Sequence, residues 1–325
     1  MILAGDIGGT KTHLALFEQS EAKHWVSDAI FHSKEYDGLT SLLDAFFSKK
    51  PVKVHKACFG VAGLIKEGRC RLTNLPWVVD AAEISKKYGI PHVWIVNDLE
   101  ANAYGLRCLE PKEFYTINEG DKKAVGNAAL IAAGTGLGEA GLYWNGKKHL
   151  PFACEGGHCS FAAENELEVQ LLFYLKKEFP HVSYERILSG PGLYHLYRFF
   201  IDTGLEREKK EVAEAMRKGD PAKVVTENAL KELCPACVRA LNWFVSIYGS
   251  EAGNLALKML SKGGVYIGGG IAPKILEVLK RGGFMSAFAS KGRFAPLLTA
   301  MPVRVILNEN TALLGAAEYA KERNN

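Results

Sequence analysis

The chain has 325 residues, of which 48% are hydrophobic and 23% are charged. At about 100 to 200 residues per domain, this length predicts two domains, and the composition excludes intrinsic disorder and a membrane-embedded chain. The net charge is only +4 and no one-sided basic block occurs, so nucleic acid is not an expected partner. The first apolar stretch, Met1 to Ala4, is too short for a signal peptide. We therefore expect a cytoplasmic protein without a membrane partner.

The seven cysteines are an odd number and lie mostly in apolar contexts, which predicts reduced thiols. Cys234 and Cys237 form a CxxC pair, but the sequence offers no second pair to complete a metal site. Because the pair also falls in a helical pattern, core packing is favoured over metal or redox chemistry.

The first third of the chain alternates between strand and helix patterns. Apolar runs predict strands, and Asp or Asn before an apolar-periodic run predicts a helix start. The predicted elements are a hairpin of strands 2–7 and 12–17, a strand at 25–31, a helix at 38–48, a strand at 56–61, a helix at 80–88, a strand at 93–96 and a helix at 99–107. This alternation predicts the α/β class.

The second part begins with strand 128–133, a glycine turn at 134–138 and strand 139–144, which repeats the layout of residues 2–17 and predicts a weak internal duplication. Helical patterns then dominate. They are predicted at 164–179, 184–188, 190–203 and 209–218, with a single long helix over about 221–260; strand 265–267, a helix from Pro273, strand 303–307 and helix 310–321 follow.

Three glycine turns follow predicted buried strands. Glycine can take positive φ and lets backbone N–H groups approach an anion closely, as phosphate binding requires. The turns are Asp6-Ile7-Gly8-Gly9-Thr10, Gly134-Thr135-Gly136 and Gly268-Gly269-Gly270. Taken singly, they are typical of a tight hairpin, a bulged hairpin and a strand-to-helix turn. Together they predict nucleotide binding, although neither a P-loop (GxxxxGK[ST]) nor a dinucleotide fingerprint (GxGxxG opening a helix) occurs.

Asp6 lies at the end of the first strand, beside the first glycine turn. A carboxylate there suits Mg²⁺, bound through water because magnesium keeps most of its hydration shell. The alternative for Asp6 is a turn-forming role. Lys11 is either a phosphate contact or a solvated turn lysine.

Six motifs together resemble, in order and over nearly the whole chain, those of bacterial glucokinases. They are Leu3-Ala4-Gly5-Asp6-Ile7-Gly8-Gly9-Thr10, Val96-Asn97-Asp98, Gly134-Thr135-Gly136-Leu137-Gly138, Glu155-Gly156-Gly157-His158, Glu185 to Gly192 (ERILSGPG) and Gly268-Gly269-Gly270-Ile271-Ala272. Those enzymes belong to the sugar kinase, Hsp70 and actin superfamily. The resemblance implies a two-lobed actin-like (ribonuclease H-like) fold, with two related β-sheets flanked by helices and a cleft for ATP and sugar.

The resemblance also implies residue roles. Asp98 would be the general base for the sugar 6-hydroxyl, and the expected substrate contacts are Asn97, Asp98, Glu155, His158 and Glu185. ATP would be held by Gly5, Asp6, Ile7, Gly8, Gly9, Thr10, Gly134, Thr135, Gly136, Gly268, Gly269 and Gly270. From the residues alone, other roles stay open: Asp98 as a helix N-cap, Glu155 and His158 as turn residues, and Glu185 as an acidic residue in the first turn of a helix capped by Ser183.

A neighbouring group of repressors, open reading frames and kinases also begins with GGTK. Its members usually carry a CxCGxxGC zinc motif after the GxGGH turn, whereas here His158 is followed by Cys159-Ser160-Phe161. We therefore predict no structural zinc. The phosphate hairpin at residue 6 also leaves no room for the helix-turn-helix of the repressors.

The expected activity is ATP-dependent phosphorylation of D-glucose at the 6-hydroxyl, with Mg²⁺. The alternatives are a kinase for mannose, fructose or an N-acetylhexosamine, and a non-catalytic sensor of sugar and ATP. The expected domains are a small one, 1–108 completed by helix 310–325, and a large one, 109–300. Homodimerisation is a further expectation from the resemblance.

Overall fold

A computed structural model describes residues 1–19, 23–49 and 51–323. The strands are β1 Ile2–Ile7, β2 Lys11–Phe17, β3 Trp25–His32, β4 Lys56–Val61, β5 Ile65–Lys66, β6 Arg69–Arg71, β7 Val78–Asp80, β8 His92–Asn97, β9 Phe114–Asn118, β10 Ala128–Ala133, β11 Leu137–Trp144, β12 His149–Cys154, β13 Gly264–Gly268 and β14 Val303–Ile306. The α-helices are α1 Leu39–Lys49, α2 Ala81–Tyr88, α3 Asp98–Gly105, α4 Glu166–Leu175, α5 Gly190–Asp202, α6 Lys210–Lys218, α7 Pro221–Leu230, α8 Pro235–Met259, α9 Leu276–Leu279, α10 Gly283–Ala289, α11 Ala295–Thr299 and α12 Thr311–Glu322. The α/β class predicted from the sequence is confirmed.

The described chain divides into two compact units. The first comprises Met1–Glu113, Leu150–Ala153 and the chain from Asn308 onward, and the second comprises Phe114–His149 and Cys154–Leu307. The predicted small domain included residues 324–325, which lie outside the described residues.

None of the helices in the described ranges combines the length and apolar content needed to span a membrane.

In the first unit a sheet has the strand order β3-β2-β1-β4-β8. Strand β1 runs antiparallel to β2 and parallel to β4, and β4 runs parallel to β8. Helix α12 packs against α3, β1 and β4. The parallel strands are nearly continuous apolar runs because both of their faces are covered. The carboxyl ends of β1, β4 and β8 consequently meet at one edge of this sheet.

Five strands of the sheet in the second unit follow the order β11-β10-β13-β14-β9. Strand β10 is antiparallel to β11 and parallel to β13, which is parallel to β14. This repeats the pairing of β2, β1, β4 and β8 in the first unit. The internal duplication predicted from the two strand–glycine turn–strand segments is therefore confirmed at the level of topology. A helical core containing Phe199, Phe244 and Tyr248 packs with this sheet.

The prediction of a single helix over 221–260 is wrong, because the segment forms α7 and α8 with a break between them. Pro235 is the first residue of α8, and Cys234 before it is extended with φ −136° and ψ 114°. A proline lacks the N–H that would continue the earlier helix and disfavours helical geometry in the residue before it. Glu232 in the break has a positive φ of 55°. Cys234 and Cys237 are both buried and free, at the start of α8.

Candidate active site

The first glycine turn joins β1 to β2 as a closed hairpin. The Gly8 N–H donates to the Lys11 carbonyl at 3.0 Å, which closes the turn. Ser33, fully buried, supports it from outside: its hydroxyl donates to the Gly8 carbonyl at 2.7 Å and its N–H donates to the Thr10 carbonyl at 3.0 Å. Sequence reasoning missed Ser33, since one serine after a strand gives no distinctive signal. The turn is therefore held at both ends by a single residue.

Glycine is required in this turn mainly because space is short. A Cβ on Gly5 would lie 2.6 Å from Cδ1 of Phe59, and a Cβ on Gly9 would lie 2.7 Å from Cβ of Asn74. Among the glycines assigned to nucleotide binding, all within the described chain, only Gly269 has a positive φ, 80°. The expectation that positive φ explains these glycines is therefore wrong for most of them. Close packing explains Gly5 and Gly9.

Asp6 lies in β1 at the carboxyl edge of the first sheet, one residue before the strand ends. Burial raises the pKa of its carboxyl group, and the charges of Lys11 and His13 act in the opposite direction. A cation beside Asp6 would favour the ionised form in the same way. One carboxylate beside a phosphate cradle is sufficient protein support for Mg²⁺, which takes its other ligands from water and phosphates. Asp6 therefore fits the ion that the sequence predicts. Within 1–19, 23–49 and 51–323, no group of three or more His, Cys, Asp or Glu side chains is placed to hold a metal ion.

Asn97 and Asp98 lie at the same edge of the sheet, at the junction of β8 and α3. The Asn97 side-chain oxygen accepts hydrogen bonds from the N–H groups of Leu99 at 2.9 Å and Glu100 at 3.3 Å, so Asn97 is the N-cap. Asp98 is the first helical residue and is partly exposed; its Oδ1 accepts a hydrogen bond from Leu99 N–H at 3.0 Å. The alternative role of N-cap thus falls to Asn97, and Asp98 is a partly exposed residue beside it.

The sheet register fixes the spacing between these groups. Asp6 is paired with Gly60 of β4, and Asn97 is paired with Val61 of the same strand. Neighbouring strands lie about 4.8 Å apart, so Asp6 and Asn97 are separated by about 10 Å across β4. Gly60 brings β4 close to α3, because a Cβ there would lie 3.0 Å from Cβ of Ala101.

The other two glycine turns are neighbours in the second unit. Strand β10 ends at Ala133, and the Gly134 N–H then donates to the Gly136 carbonyl at 2.8 Å. Gly268 ends β13 in register with Ala132, and the Ile271 N–H donates to the Ala133 carbonyl at 3.2 Å. Both turns therefore leave the carboxyl ends of adjacent parallel strands, where ligands bind in open α/β sheets.

Three of the predicted sugar contacts come together in the second unit. His158 Nε2 lies 4.0 Å from Oε2 of Glu155, and His158 Nδ1 lies 4.0 Å from Oε1 of Glu185. The side chains of Glu155 and His158 are about 60% exposed, whereas that of Glu185 is 28% exposed. The three residues form a partly open surface of carboxylates and an imidazole. Such groups accept from and donate to the hydroxyls of a polyol.

Glu185 lies in a 3₁₀ turn, Tyr184–Arg186, which is shorter than the predicted helix 184–188. Ser183 precedes this turn without a side-chain capping bond. The turn is fixed instead through Glu185, whose Oε2 accepts a hydrogen bond from Leu137 N–H at 3.0 Å. A Cβ on Gly136 would lie 2.5 Å from the same oxygen. One of the glycines assigned to phosphate binding therefore also makes room for the carboxylate of Glu185.

The comparisons of sequence and of structure with known proteins agree on one family. The sequence model of the family described as Glucokinase matches residues 3–323. A curated glucokinase of Nostoc punctiforme is 38% identical, with 98% of each chain covered. The crystal structure of a glucokinase from an Antarctic psychrotroph is 33% identical and covers 99% of both chains with a TM-score of 0.83.

More distant structures share the fold. A glucokinase from Balamuthia mandrillaris, solved in complex with glucose, is 23% identical, covers 98% of this chain and 93% of its own, and has a TM-score of 0.79. A ROK family glucokinase from Streptomyces griseus, solved with glucose and AMPPNP, is 19% identical, covers 99% of both chains and has a TM-score of 0.67. The actin-like sugar kinase fold implied by the motifs is therefore confirmed, and this chain belongs to the glucokinase family.

Proposed function

We propose that this chain transfers the γ-phosphoryl group of ATP to the 6-hydroxyl of D-glucose, with Asp98 as the general base. The observation that carries the proposal is the placement of Asp98 at the carboxyl end of β8. Asp98 is a partly exposed residue there, while the side chain of Asn97 caps the helix. Membership of the glucokinase family supports the choice of donor and acceptor.

In the proposed reaction the glucose O6 forms a bond to the γ-phosphorus as the bond from that phosphorus to the β,γ-bridging oxygen breaks. The O6 proton passes to the Asp98 carboxylate, and ADP leaves with the bridging oxygen. A carboxylate can orient the hydroxyl and accept its proton. The amino end of α3 also favours a negative charge at its first residue. Positioning and electrostatics supply most of the rate in phosphoryl transfer.

The proposed nucleotide contacts are the glycine turns, one in the first unit and two in the second. The Gly8 N–H closes the first turn, so the N–H groups proposed to face phosphate there are those of Gly9 and Thr10. In the second unit, 134–136 and 268–270 offer two adjacent backbone surfaces. Asp6 would orient the water shell of Mg²⁺, which, when bound, neutralises charge on the phosphate oxygens. Ser33 keeps the first turn in shape for this contact.

The proposed sugar contacts of the first unit are Asn97 and Asp98, and those of the second unit are Glu155, His158 and Glu185. The Asn97 cap uses the side-chain oxygen, so its Nδ2 group is the part that can donate to a hydroxyl. A site built from such groups discriminates between hexoses by their hydroxyls, because an unpaired buried polar group is costly.

We further propose the domain division 1–108 with 310–325, and 109–300. The two compact units of the described chain support it. A cytoplasmic location, a homodimeric state and the absence of structural zinc remain predictions.

A coupled assay tests the proposal. Glucose 6-phosphate formation is followed with ATP and Mg²⁺, and initial rates are compared for glucose, mannose, fructose and N-acetylglucosamine at matched concentrations. The proposal predicts the highest kcat/KM for glucose. A higher value for another hexose would assign that sugar instead. Calorimetric binding of glucose and ATP without any turnover would identify a sensor.

A further inference from the structure

Two buried glutamates contact the segments that carry the sugar-site candidates of the second unit. Glu139 in β11 is 1% exposed, and Glu251 in α8 is fully buried. Burying a charged carboxylate is costly unless it is paired and hydrogen-bonded. Two buried carboxyl groups that interact with each other therefore require a compensating arrangement.

Glu139 supports the loop that carries Glu155 and His158. A Cβ added to Gly156 would overlap the Glu139 carboxyl group, with its carbon at only 2.6 Å. The backbone of the loop therefore packs directly on the carboxyl group. Gly156 has no side chain that could move aside. A change in the volume or charge of the Glu139 carboxyl group would therefore act directly on the loop backbone.

Glu251 supports the other segment, the turn that carries Glu185. The side-chain amide of Asn254 donates to Oε2 of Glu251 at 2.8 Å and to the hydroxyl of Tyr184 at 3.1 Å. Tyr184 immediately precedes Glu185 in the same 3₁₀ turn. Lys258 Nζ lies 3.5 Å from Oε1 of Glu251. The two glutamates thus reach both sugar-site segments.

One buried oxygen of the pair lacks a hydrogen-bond partner. In the part of the chain that the structure describes, Oε1 of Glu139 has no hydrogen-bond partner. Burial raises the pKa of Glu139 to about 8; the charge of Glu251 and a hydrogen bond to its carboxyl group act in the same direction, and the charge of Lys258 opposes them. At neutral pH Glu139 is therefore a neutral acid that can donate to Glu251.

Two other titratable groups face Glu139. They are the Cys154 thiol at the end of β12 and the Tyr248 hydroxyl in α8, and each interacts with its charge. Burial raises the pKa of Cys154 above 9.0 and that of Tyr248 above 10.0. Both stay neutral when Glu139 loses its proton. That loss places a second negative charge beside Glu251.

We propose that Glu139 and Glu251 share one proton, and that this shared proton positions Glu155, His158 and Glu185 for glucose. With the proton present, the pair holds the 155–158 loop and the 184–186 turn in their binding positions. When it is lost, the two carboxylates repel each other and the loop moves from Glu139. Both glutamates act as positioning residues, since both are buried beneath the segments that carry the proposed sugar contacts. This inference rests on the proposed function, because it assigns those three residues to glucose.

A pH profile of the kinetic constants tests the inference. The wild-type KM for glucose is expected to rise about fivefold or more from pH 7 to pH 9, with little change in the KM for ATP. Glu139→Gln is expected to keep a low glucose KM at pH 9, because its neutral amide donates as the protonated acid does. Glu178→Gln, at an exposed position, is the control and should follow the wild type. A Glu139→Gln profile with the wild-type rise would overturn the inference.

Calorimetry of the wild-type protein gives a second test that depends on no variant. Glucose is titrated near pH 8 in buffers of different ionisation enthalpy, so that the observed heat reports proton uptake. We expect net proton uptake on glucose binding. Binding without proton uptake would refute the shared proton while leaving the proposed function intact. The absence of any binding heat between pH 6.5 and 9 would instead refute the proposed function and this inference with it.

Discussion

Glu185 accepts a hydrogen bond from the backbone N–H of Leu137 at 3.0 Å through its Oε2 atom. A residue assigned to the sugar is thereby fixed to the end of the glycine turn assigned to the nucleotide. The carboxylate can reach this N–H only because residue 136 has no side chain. The residues proposed for sugar and for phosphate in the second unit are therefore linked by direct contacts.

Gly136→Ala should weaken glucose binding. The new Cβ would lie 2.5 Å from Oε2 of Glu185, and this atom is the end of a flexible side chain, so the carboxylate should move while the fold is kept. We expect the KM for glucose to rise about tenfold. Gly134→Ala is the matched control in the same turn, because a Cβ there meets nothing within 4 Å. Equal glucose KM values for the two variants would contradict the assignment.

Ser33→Ala should affect the first glycine turn. Removal of the hydroxyl leaves the Gly8 carbonyl without its 2.7 Å donor and Thr12 without its 2.9 Å hydroxyl partner. The unfolding free energy should fall by about 1 to 3 kcal/mol, and the KM for ATP should rise more than the KM for glucose. Urea unfolding and initial-rate kinetics measure the two effects. Ser48→Ala is the control: it removes an exposed hydroxyl of α1 and should change neither the unfolding free energy nor the KM for ATP by much. An unaltered KM for ATP in Ser33→Ala would count against the role of Ser33 in holding the first glycine turn.

Gly315→Ala should destabilise the first unit through the contact of α12 with α3. A Cβ on Gly315 would overlap the backbone of Ala101, whose carbonyl carbon would be 2.8 Å away. Overpacking of this kind costs about 1 to 3 kcal/mol, since backbone cannot move aside cheaply. Gly283→Ala, at the start of α10, meets nothing within 4 Å. Thermal unfolding should show a lower Tm for the first variant only; similar Tm values would refute the close packing.

The stability of the wild-type protein should depend on pH through Glu139. Its pKa is raised from 4.5 in the unfolded chain to about 8 in the folded protein. The folded state binds the extra proton, so its stabilising effect is complete below pH 4.5 and is lost as the pH rises through about 8. The loss should be on the order of a few kcal/mol. Denaturant unfolding between pH 5 and 9 should show this decline in the wild type and a flatter curve in Glu139→Gln; parallel curves would argue against a protonated Glu139.

Much of the fold follows from local sequence patterns. Strand β4 has the bounds predicted from its apolar run, and α2 begins after Asp80, whose side chain caps it. The short strands β5 and β6 were not predicted, because two or three residues with charged ends carry no periodicity. Pro235 indicates the break before α8. The apolar periodicity on both sides of this proline nevertheless favoured one continuous helix.

The site was predicted less completely than the fold. Motifs identified the residues that we propose to face ligands, and the structure brings Glu155, His158 and Glu185 together. The supporting residues Ser33 and Glu139 were missed, because their roles depend on contacts with segments distant in sequence. A signal for Glu139 existed in its position among glycines and apolar residues in Gly138-Glu139-Ala140-Gly141, where an exposed carboxylate is not expected.

The kcat of Asp98→Asn with glucose, ATP and Mg²⁺ tests the central claim most directly. Asparagine preserves size and hydrogen bonding at the start of α3 but cannot accept the O6 proton, so kcat should fall by about 10²-fold or more while glucose still binds. Asp80→Asn, which alters the cap of α2 in the same unit, should keep the wild-type kcat. An Asp98→Asn variant that retains most of the wild-type kcat would contradict the assignment of Asp98 as the general base.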